Sequence, residues 1–238
     1  MQNYQPEDSE GKEASMRDDP RYKHLYLDQS KLEKITKDMS AFIETNEGNP
    51  NIHDEHYLGK AVYLGTEAKN KLFGVELAGV NCAAHNAEVL KGLAKSAGLN
   101  QDEMQFLVGA AKLNYGDAEK YLQEHGPFSV SYDKAKRLFQ LALEPYVRDT
   151  EDYVNKYFIH FKKPKSFGAL PLNIQAVIVD SMFWNGGLKQ YIPYLKNYTD
   201  DSNLNKQLVQ HCQKAITDGG NKMRIGRKIQ LLQGKIKL

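Results

Sequence analysis

The sequence predicts a mainly α-helical protein of the α+β kind: one N-terminal helix, a small irregular β-lobe and a larger helical lobe. The first observation is that apolar residues recur at helical spacing through most of the chain from Asn86 onward. The second is that residues 49–85 lack such a stripe and contain short β-compatible runs separated by Gly, Asn and Lys. At 238 residues and 41% hydrophobic composition, the chain is long enough to bury a core.

The charge distribution and the composition indicate which partners the protein could bind and which classes of protein it does not resemble. The formal net charge is +2, but residues 203–238 hold eight Lys or Arg residues and one acid. A basic end suggests an anionic partner such as nucleic acid, a cell-wall polymer or a membrane surface, although a solvated helix face is the commoner cause. No run approaches the ~18 apolar residues of a membrane helix, and no signal peptide is visible, so we predict no membrane insertion. Two cysteines do not make a disulfide framework.

The first predicted helix ends in a glutamate. Residues 1–29 are polar, acidic and aperiodic, which predicts a flexible leader or linker. Ser30 opens an S-x-x-E capping box, and Gly48 sits where a helix stops in a left-handed turn. Glu47 is therefore the last helical residue, where the helix dipole disfavours the ionised form and raises the pKa. A general acid needs such a carboxyl, and a surface Glu before a C-cap glycine is the plain alternative.

The helical lobe is predicted over residues 86–238. Asn86 caps its first helix, and a longer helix begins at Ser131. We expect Pro145 to kink or break that longer helix. Pro171 is well placed in the first turn of an apolar helix. Shorter helices are predicted around residues 188–195, 204–216 and 223–232.

Four strings, in this order, resemble the phage-lysozyme superfamily of muramidases, and within it the pesticin-like bacterial toxin branch. Glu47-Gly48 ends a helix, as the family's catalytic Glu-Gly does. The others are Gly74-Val75-Glu76-Leu77-Ala78, similar to the branch's Gly-Phe-Asp-Leu-Gly; Leu170-Pro171, Gln175-Ala176 and Phe183-Trp184-Asn185-Gly186-Gly187, similar to Leu-Pro…Gln-Ala…Tyr-Asn-x-Gly; and Arg224-Ile225-Gly226-Arg227-Lys228, similar to the closing basic helix. The resemblance spans roughly residues 31–238 and implies a lysozyme-like domain over residues 30–238.

The resemblance also implies roles for single residues. Glu47 falls on the general acid that protonates the glycosidic oxygen, and Glu76 falls on the second carboxylate, which is usually Asp in the branch. Asn70 falls where the family has a Thr in a Gly-Val-Thr-Ile-Gly string, which is largely lost here. An amide can orient a water but cannot copy a hydroxyl that donates and accepts at one atom. Asn185 and Arg224 are the predicted substrate-binding residues.

The β-lobe can also be aligned with the family's strings in a second register. Val62-Tyr63-Leu64-Gly65-Thr66 imitates the lost string at the shorter spacing of the simpler phage enzymes. In that register the second acid would lie near Asp54, Glu55 and His56. We prefer Glu76, because its string keeps the character of five consecutive residues.

Four other features have a simple structural explanation beside a functional one. The run His53-Asp54-Glu55-His56 is the densest cluster of potential metal ligands, but no third His or Cys accompanies it, so we predict no metal and no cofactor. Cys82 and His85 suggest a thiol nucleophile, with an incidental pair as the plain alternative. Trp184 follows an apolar helix face and is predicted to pack in the core. For the basic residues of the last helix, a solvated face is the default.

The predicted function is that of a lysozyme-type glycoside hydrolase, a muramidase that cleaves the β-1,4 bond between N-acetylmuramic acid and N-acetylglucosamine. We expect a monomeric, bacteriolytic toxin or effector domain, or a phage endolysin. It would be made in the cytoplasm, delivered to the periplasm or cell wall of a target cell, and neutralised by an immunity protein in a producing cell. The alternatives are a catalytically impaired module that binds cell-wall glycan or a protein partner, and a nucleic-acid-binding helical protein, which we disfavour.

Overall fold

The computed structural model describes residues 16–47, 58–63 and 74–238, without the side chains of Glu47, Tyr63 and Asn185. These residues form a mainly α-helical protein with a small antiparallel sheet, which confirms the predicted fold class. The helices are α1 (Gln29–Glu47), α2 (Ala87–Ala97), α3 (Gln101–Gly109), α4 (Tyr115–His125), α5 (Tyr132–His160), α6 (Leu172–Asn185), α7 (Ile192–Lys196), α8 (Asp201–Thr217) and α9 (Lys222–Leu232). The strands are β1 (Val62–Tyr63), β2 (Val75–Leu77) and β3 (Val80–Asn81).

The chain forms two compact units. One is Glu47–Pro145, and the other joins the described residues up to Asn46 with Tyr146–Leu238. The sheet therefore shares its unit with α2, α3, α4 and the start of α5, whereas the predicted β-lobe ends at residue 85. No helix among the described residues combines the length and the apolar character that crossing a bilayer requires.

The sheet is an antiparallel meander in the order β1-β2-β3. Val75 and Leu77 are buried and Glu76, between them, is half-buried, as expected when alternate side chains point to opposite faces. The turn between β2 and β3 is made by Ala78 and Gly79, both with positive φ (49° and 76°). A two-residue hairpin turn with this backbone twist matches the twist of its strands.

Helix α1 begins earlier than predicted. Its first turn is capped by Asp28, whose Oδ1 accepts a hydrogen bond from the Lys31 amide at 2.8 Å. The predicted capping box at Ser30 is therefore wrong. Asp caps as well as Ser, and its negative charge also suits the positive end of the helix dipole. The apolar stripe of α1 faces the core, with Leu32, Met39, Phe42 and Ile43 buried.

Helix α5 runs through Pro145 without a break. Of the two predicted outcomes, the break is therefore wrong, and the kink stays a prediction. Proline inside a helix costs roughly 3 kcal/mol, because it donates no hydrogen bond and its ring crowds the preceding turn. Leu143 and Val147, on either side of it, are completely buried. We infer that packing on both sides of the proline offsets its cost. The boundary between the two compact units falls directly after this residue.

The predicted leader is partly folded. Residues 16–28, here called the N-terminal strap, form two 3-10 turns and bind α5. Arg17 donates to Glu151 at 2.7 Å and to Asp152 at 3.1 Å, and the Leu27 amide donates to Glu151 at 2.6 Å. Glu151 is completely buried, so it depends on these donors. The prediction of a flexible leader holds for none of residues 16–28, and residues 1–15 lie outside the description.

Helix α6 is enclosed on all faces through residues 174–183. Such a helix normally carries apolar residues all round. This one includes Asp180 and Ser181 near its C-terminal end, and both are buried. Buried polar groups of this kind require partners from other elements.

Asp149 of α5 makes the stability of the folded chain sensitive to pH. Burial, followed by the nearby Asp152 carboxylate, raises its pKa to about 6, and Arg17 opposes that shift. Such a carboxyl binds its proton more tightly in the folded chain than in the unfolded chain. The folded state is therefore favoured while Asp149 is protonated, and this contribution is lost as pH rises through about 6.

Asp149→Asn keeps the side-chain shape and removes the charge. We expect it to raise the free energy of unfolding by about 1 kcal/mol near pH ~8, a value reduced for solvent screening because the carboxyl is partly exposed. Most of the gain should vanish near pH ~4. Urea unfolding at the two pH values measures this. Asp218→Asn, at an exposed carboxylate after α8, is the control, and an equal gain at both pH values would contradict the explanation.

Candidate functional site

The structure describes some of the predicted site residues with their side chains, some only as backbone and one not at all. Glu47 is the last residue of α1, which confirms the predicted helix end, but its side chain lies outside the description. Glu76 is the central residue of β2, and Arg224 lies in α9. Asn185 ends α6, without a described side chain. Asn70 lies outside the described residues.

The alternatives from the β-lobe also lie outside the description. Asp54 and Glu55, the acids of the second register, fall in the stretch 48–57, which the structure does not describe. The same holds for the candidate metal ligands His53 and His56. Within the described ranges, no three His, Cys, Asp or Glu side chains converge as metal ligands would.

Glu76 is held in the middle of the sheet. It lies opposite Val62 of β1 and Asn81 of β3 in the strand register. Its side chain is half-buried, and one carboxylate oxygen, Oε2, is buried. A side chain on a central strand has a well-defined position, which is what a supporting catalytic carboxylate requires.

Close packing around Gly74 explains why the string Gly74-Val75-Glu76-Leu77-Ala78 begins with glycine. A Cβ at this position would lie 2.6 Å from the Ala83 Cβ and 2.9 Å from the Asn81 Oδ1. Strand β2 therefore enters the sheet in close contact with the 3-10 turn Cys82–Ala84. Asn81 caps that turn, since its Oδ1 accepts from the Ala83 amide at 3.0 Å.

Cys82 does not fit the role of a nucleophile. Burial, and then the nearby Glu76 carboxylate, raise the pKa of its thiol to about 12. The reactive thiolate is therefore scarce at neutral pH. Burial, and then Lys112, lower the pKa of His85. These properties favour the incidental pair, and both Cys82 and Cys212 are free, buried thiols.

Four residues form a buried polar cluster, here called the Asp180 cluster: Asp180, Arg224, Lys228 and Asn46. The Arg224 guanidinium donates to both carboxylate oxygens of Asp180, through Nη2 at 2.7 Å and Nε at 3.1 Å. The Lys228 ammonium lies 2.8 Å from Oδ2, and the Asn46 amide donates to Oδ1 at 3.1 Å. Asp180 has no exposed surface, and Arg224 and Lys228 are only 4% and 6% exposed. The cluster thus joins α6, α9 and α1.

The cluster holds the C-terminal end of α1. Arg224 Nη1 donates to the backbone carbonyl of Asn46 at 3.4 Å, and Arg227 Nε donates to the Asn46 side-chain oxygen at 3.0 Å. The last carbonyls of a helix lack partners within the helix, and cations stabilise that negative end. The residue after Asn46 is Glu47. The backbone that carries the predicted general acid is therefore anchored by two arginines.

A hydroxyl pair extends the cluster inward. Lys228 donates to the Ser181 Oγ at 2.8 Å, and Ser181 bonds the Val177 carbonyl at 3.0 Å. The Tyr191 hydroxyl lies 2.6 Å from the same Oγ. Burial raises the pKa of Tyr191, so its phenol stays protonated and able to donate. Lys228 is thus positioned by two neighbouring polar residues of α6.

Two predictions about this region are wrong. The default of a solvated face fails for Arg224 and Lys228, because both are buried against Asp180. Trp184 was expected in the core but is 38% exposed, in the last turn of α6, which ends at the next residue. The Arg224 guanidinium carbon lies 4.4 Å from the centre of the Trp184 ring. That Arg224 binds substrate stays a prediction; its described contacts give it a positioning role.

Sequence reasoning missed Asp180. The available signal was a single carboxylate inside the apolar stretch of α6, together with two cations spaced four residues apart, Arg224 and Lys228. This spacing puts both cations on one face of a helix. It does not by itself say which anion they meet.

Removing the charge of Asp180 leaves two cations buried without their shared anion. We expect Asp180→Asn to lower the free energy of unfolding by about 3–5 kcal/mol, measured by urea unfolding. Replacing all three charges, as Asp180→Leu with Arg224→Met and Lys228→Met, should recover much of that loss. A triple variant no more stable than the single variant would contradict the assignment of the loss to unpaired charge.

Comparison with known proteins leaves the family open. No family model, no curated protein and no solved structure matches this chain. The resemblance to the phage-lysozyme superfamily therefore rests on the strings in the sequence, and the activity that it implies is taken up as a proposal.

Proposed function

We propose that the chain is a peptidoglycan hydrolase of the muramidase class, with Glu47 as general acid. One observation carries the proposal: the end of α1, which Glu47 terminates, is anchored by Arg224, Arg227 and the buried Asp180 through Asn46. A catalytic group must be held within a fraction of an ångström of its working position. An anchored helix end followed by a carboxyl-bearing residue supplies that support.

The proposed chemistry needs two carboxyl groups in different states. Glu47 protonates the glycosidic oxygen as the bond to the sugar breaks, so it has to carry a proton when the glycan strand binds. Glu76 stays ionised and either stabilises the oxocarbenium-like transition state or activates water. Both residues belong to the unit Glu47–Pro145. A carboxyl separation of about 5–5.5 Å would give retention and about 6.5–9.5 Å inversion.

The proposed substrate is the glycan strand of peptidoglycan, cleaved between N-acetylmuramic acid and N-acetylglucosamine. The order of the four family-like strings supports this choice. We propose that the domain acts as an antibacterial toxin or effector, or as a phage endolysin, in the periplasm or on the wall of the target cell. An immunity protein would protect a producing cell from such a toxin.

A second candidate is a lysozyme-like module that binds cell-wall glycan or a protein partner without cleavage. Two departures favour it: Asn70 replaces the family's Thr, and Ala78 replaces a glycine although its φ is +49°. A non-glycine residue in this conformation costs roughly 1–2 kcal/mol. Both departures lie in strings of the β-lobe that are compared with the family.

The proposal is tested by incubating purified protein with peptidoglycan and measuring reducing ends and released muropeptides. We expect Glu47→Gln to lower the rate by at least about a hundredfold, because the amide cannot donate the proton. Glu88→Gln, at an exposed carboxylate of α2 in the same unit, should leave the rate unchanged. Wild type that releases nothing, or Glu47→Gln that cleaves as fast as wild type, would reject the proposal.

The same assay separates the two registers of the second acid. Glu76→Gln should abolish most of the activity, whereas Glu76→Asp, which restores the branch's usual residue, should retain more of it. Loss of activity in Asp54→Asn or Glu55→Gln, with Glu76→Gln active, would favour the shorter register. Cosedimentation with peptidoglycan that is unaffected by Glu47→Gln, without product release, would favour the binding module.

A further inference from the structure

Trp184 is an exposed aromatic ring in an open setting. It is the only tryptophan of the chain and is 38% exposed, in the last turn of α6. Gly186, with φ +65°, ends the helix. A Cβ added at Gly187 would meet nothing within 4 Å. The backbone that follows Trp184 is therefore open to its surroundings at Gly187.

The ring is held in place before any ligand arrives. The guanidinium carbon of Arg224 lies 4.4 Å from the ring centre, within the range of a cation–π contact. Asp180 fixes that guanidinium through two hydrogen bonds. A ring already fixed in this way loses little conformational entropy when a ligand stacks on it.

The same arginine connects the ring to the end of α1. Its Nη1 donates to the Asn46 carbonyl at 3.4 Å while its carbon faces Trp184. Asn46 directly precedes Glu47 in the chain. A ligand stacked on Trp184 would therefore lie near the Asn46 end of α1.

We propose that Trp184 is a stacking platform for one sugar ring of a glycan strand, an inference that rests on the proposed function. A pyranose presents a face of C–H groups that packs on an aromatic ring by dispersion, while its hydroxyl groups stay in water. The residues around it favour this occupant over a protein surface. Arg227, which contacts Asn46 alongside Arg224 and is half-buried, supplies positive charge that complements the carboxylates of peptide stems, whereas a stable protein interface needs roughly 800 Å² on each partner with an apolar centre.

The probe is a soluble, uncrosslinked peptidoglycan tetrasaccharide with its peptide stems, titrated into full-length Glu47→Gln protein so that it is not cleaved. Because Trp184 is the only indole, its emission reports the site directly. We expect a saturable change in emission. By calorimetry, adding Trp184→Ala should weaken the affinity by about threefold to tenfold, and Trp184→Phe should weaken it less. Tyr132→Ala, at an aromatic residue that is 37% exposed, is the matched control and should bind as before.

Each outcome decides the proposal. The platform is overturned if the tetrasaccharide binds without changing the emission and its affinity for Trp184→Ala stays within about twofold. If wild type releases muropeptides in that case, the proposed function still stands. Binding that depends on Trp184, without release by wild type, supports the platform and rejects the muramidase. Absence of tetrasaccharide binding overturns the platform whatever wild type releases. If Trp184→Ala does not fold, the emission change and the affinity of Trp184→Phe decide in the same way.

Discussion

Asp180 is an ionisable carboxyl in the interior of a helix that is enclosed on all faces. Burying an ionised carboxylate costs several kcal/mol unless cations and hydrogen-bond donors surround it. Arg224 and Lys228 from α9 supply the cations, and Asn46 from α1 supplies a further donor. The positions of α9 and of the end of α1 relative to α6 therefore follow from one requirement, the neutralisation of this carboxylate.

The guanidinium of Arg224 connects this buried carboxylate to the helix end and to the aromatic ring for which we propose functions. Arg224 contacts Asp180, the carbonyl of Asn46 and the ring of Trp184 at the same time. It fixes the backbone that leads into Glu47 and the face of an exposed aromatic ring. In a muramidase, these are a proton donor and a sugar contact, both of which have to be in place before the glycan strand binds. The buried charge that stabilises the fold would then also prepare the site.

The fold was largely predictable because its signals are local. Asn86 caps α2 and Gly98 ends it as the sequence indicates, and the helix end at Glu47 follows from the same kind of evidence. The misses depend on distant partners. A cation such as Arg224 on an amphipathic helix has the same sequence pattern whether it faces water or a buried carboxylate, and Pro145 is tolerated because of packing that no local pattern reveals. For the proposed site, the sequence suggested Glu47 and Glu76 as candidates but did not predict the contacts that hold the end of α1.

Hydrogen exchange in the last turn of α1 tests most directly whether the Asp180 cluster anchors that helix end. Asn46→Ala removes the side-chain links to Asp180 and Arg227 while the charge pairs of Asp180 remain. The expected result is faster exchange of the backbone amides in the last turn of α1, with the amides around Leu32 in its first turns unchanged. Equal protection of the last turn in wild type and variant would contradict the account that the Asn46 side chain anchors this helix end, since the variant keeps only the backbone contact from Arg224.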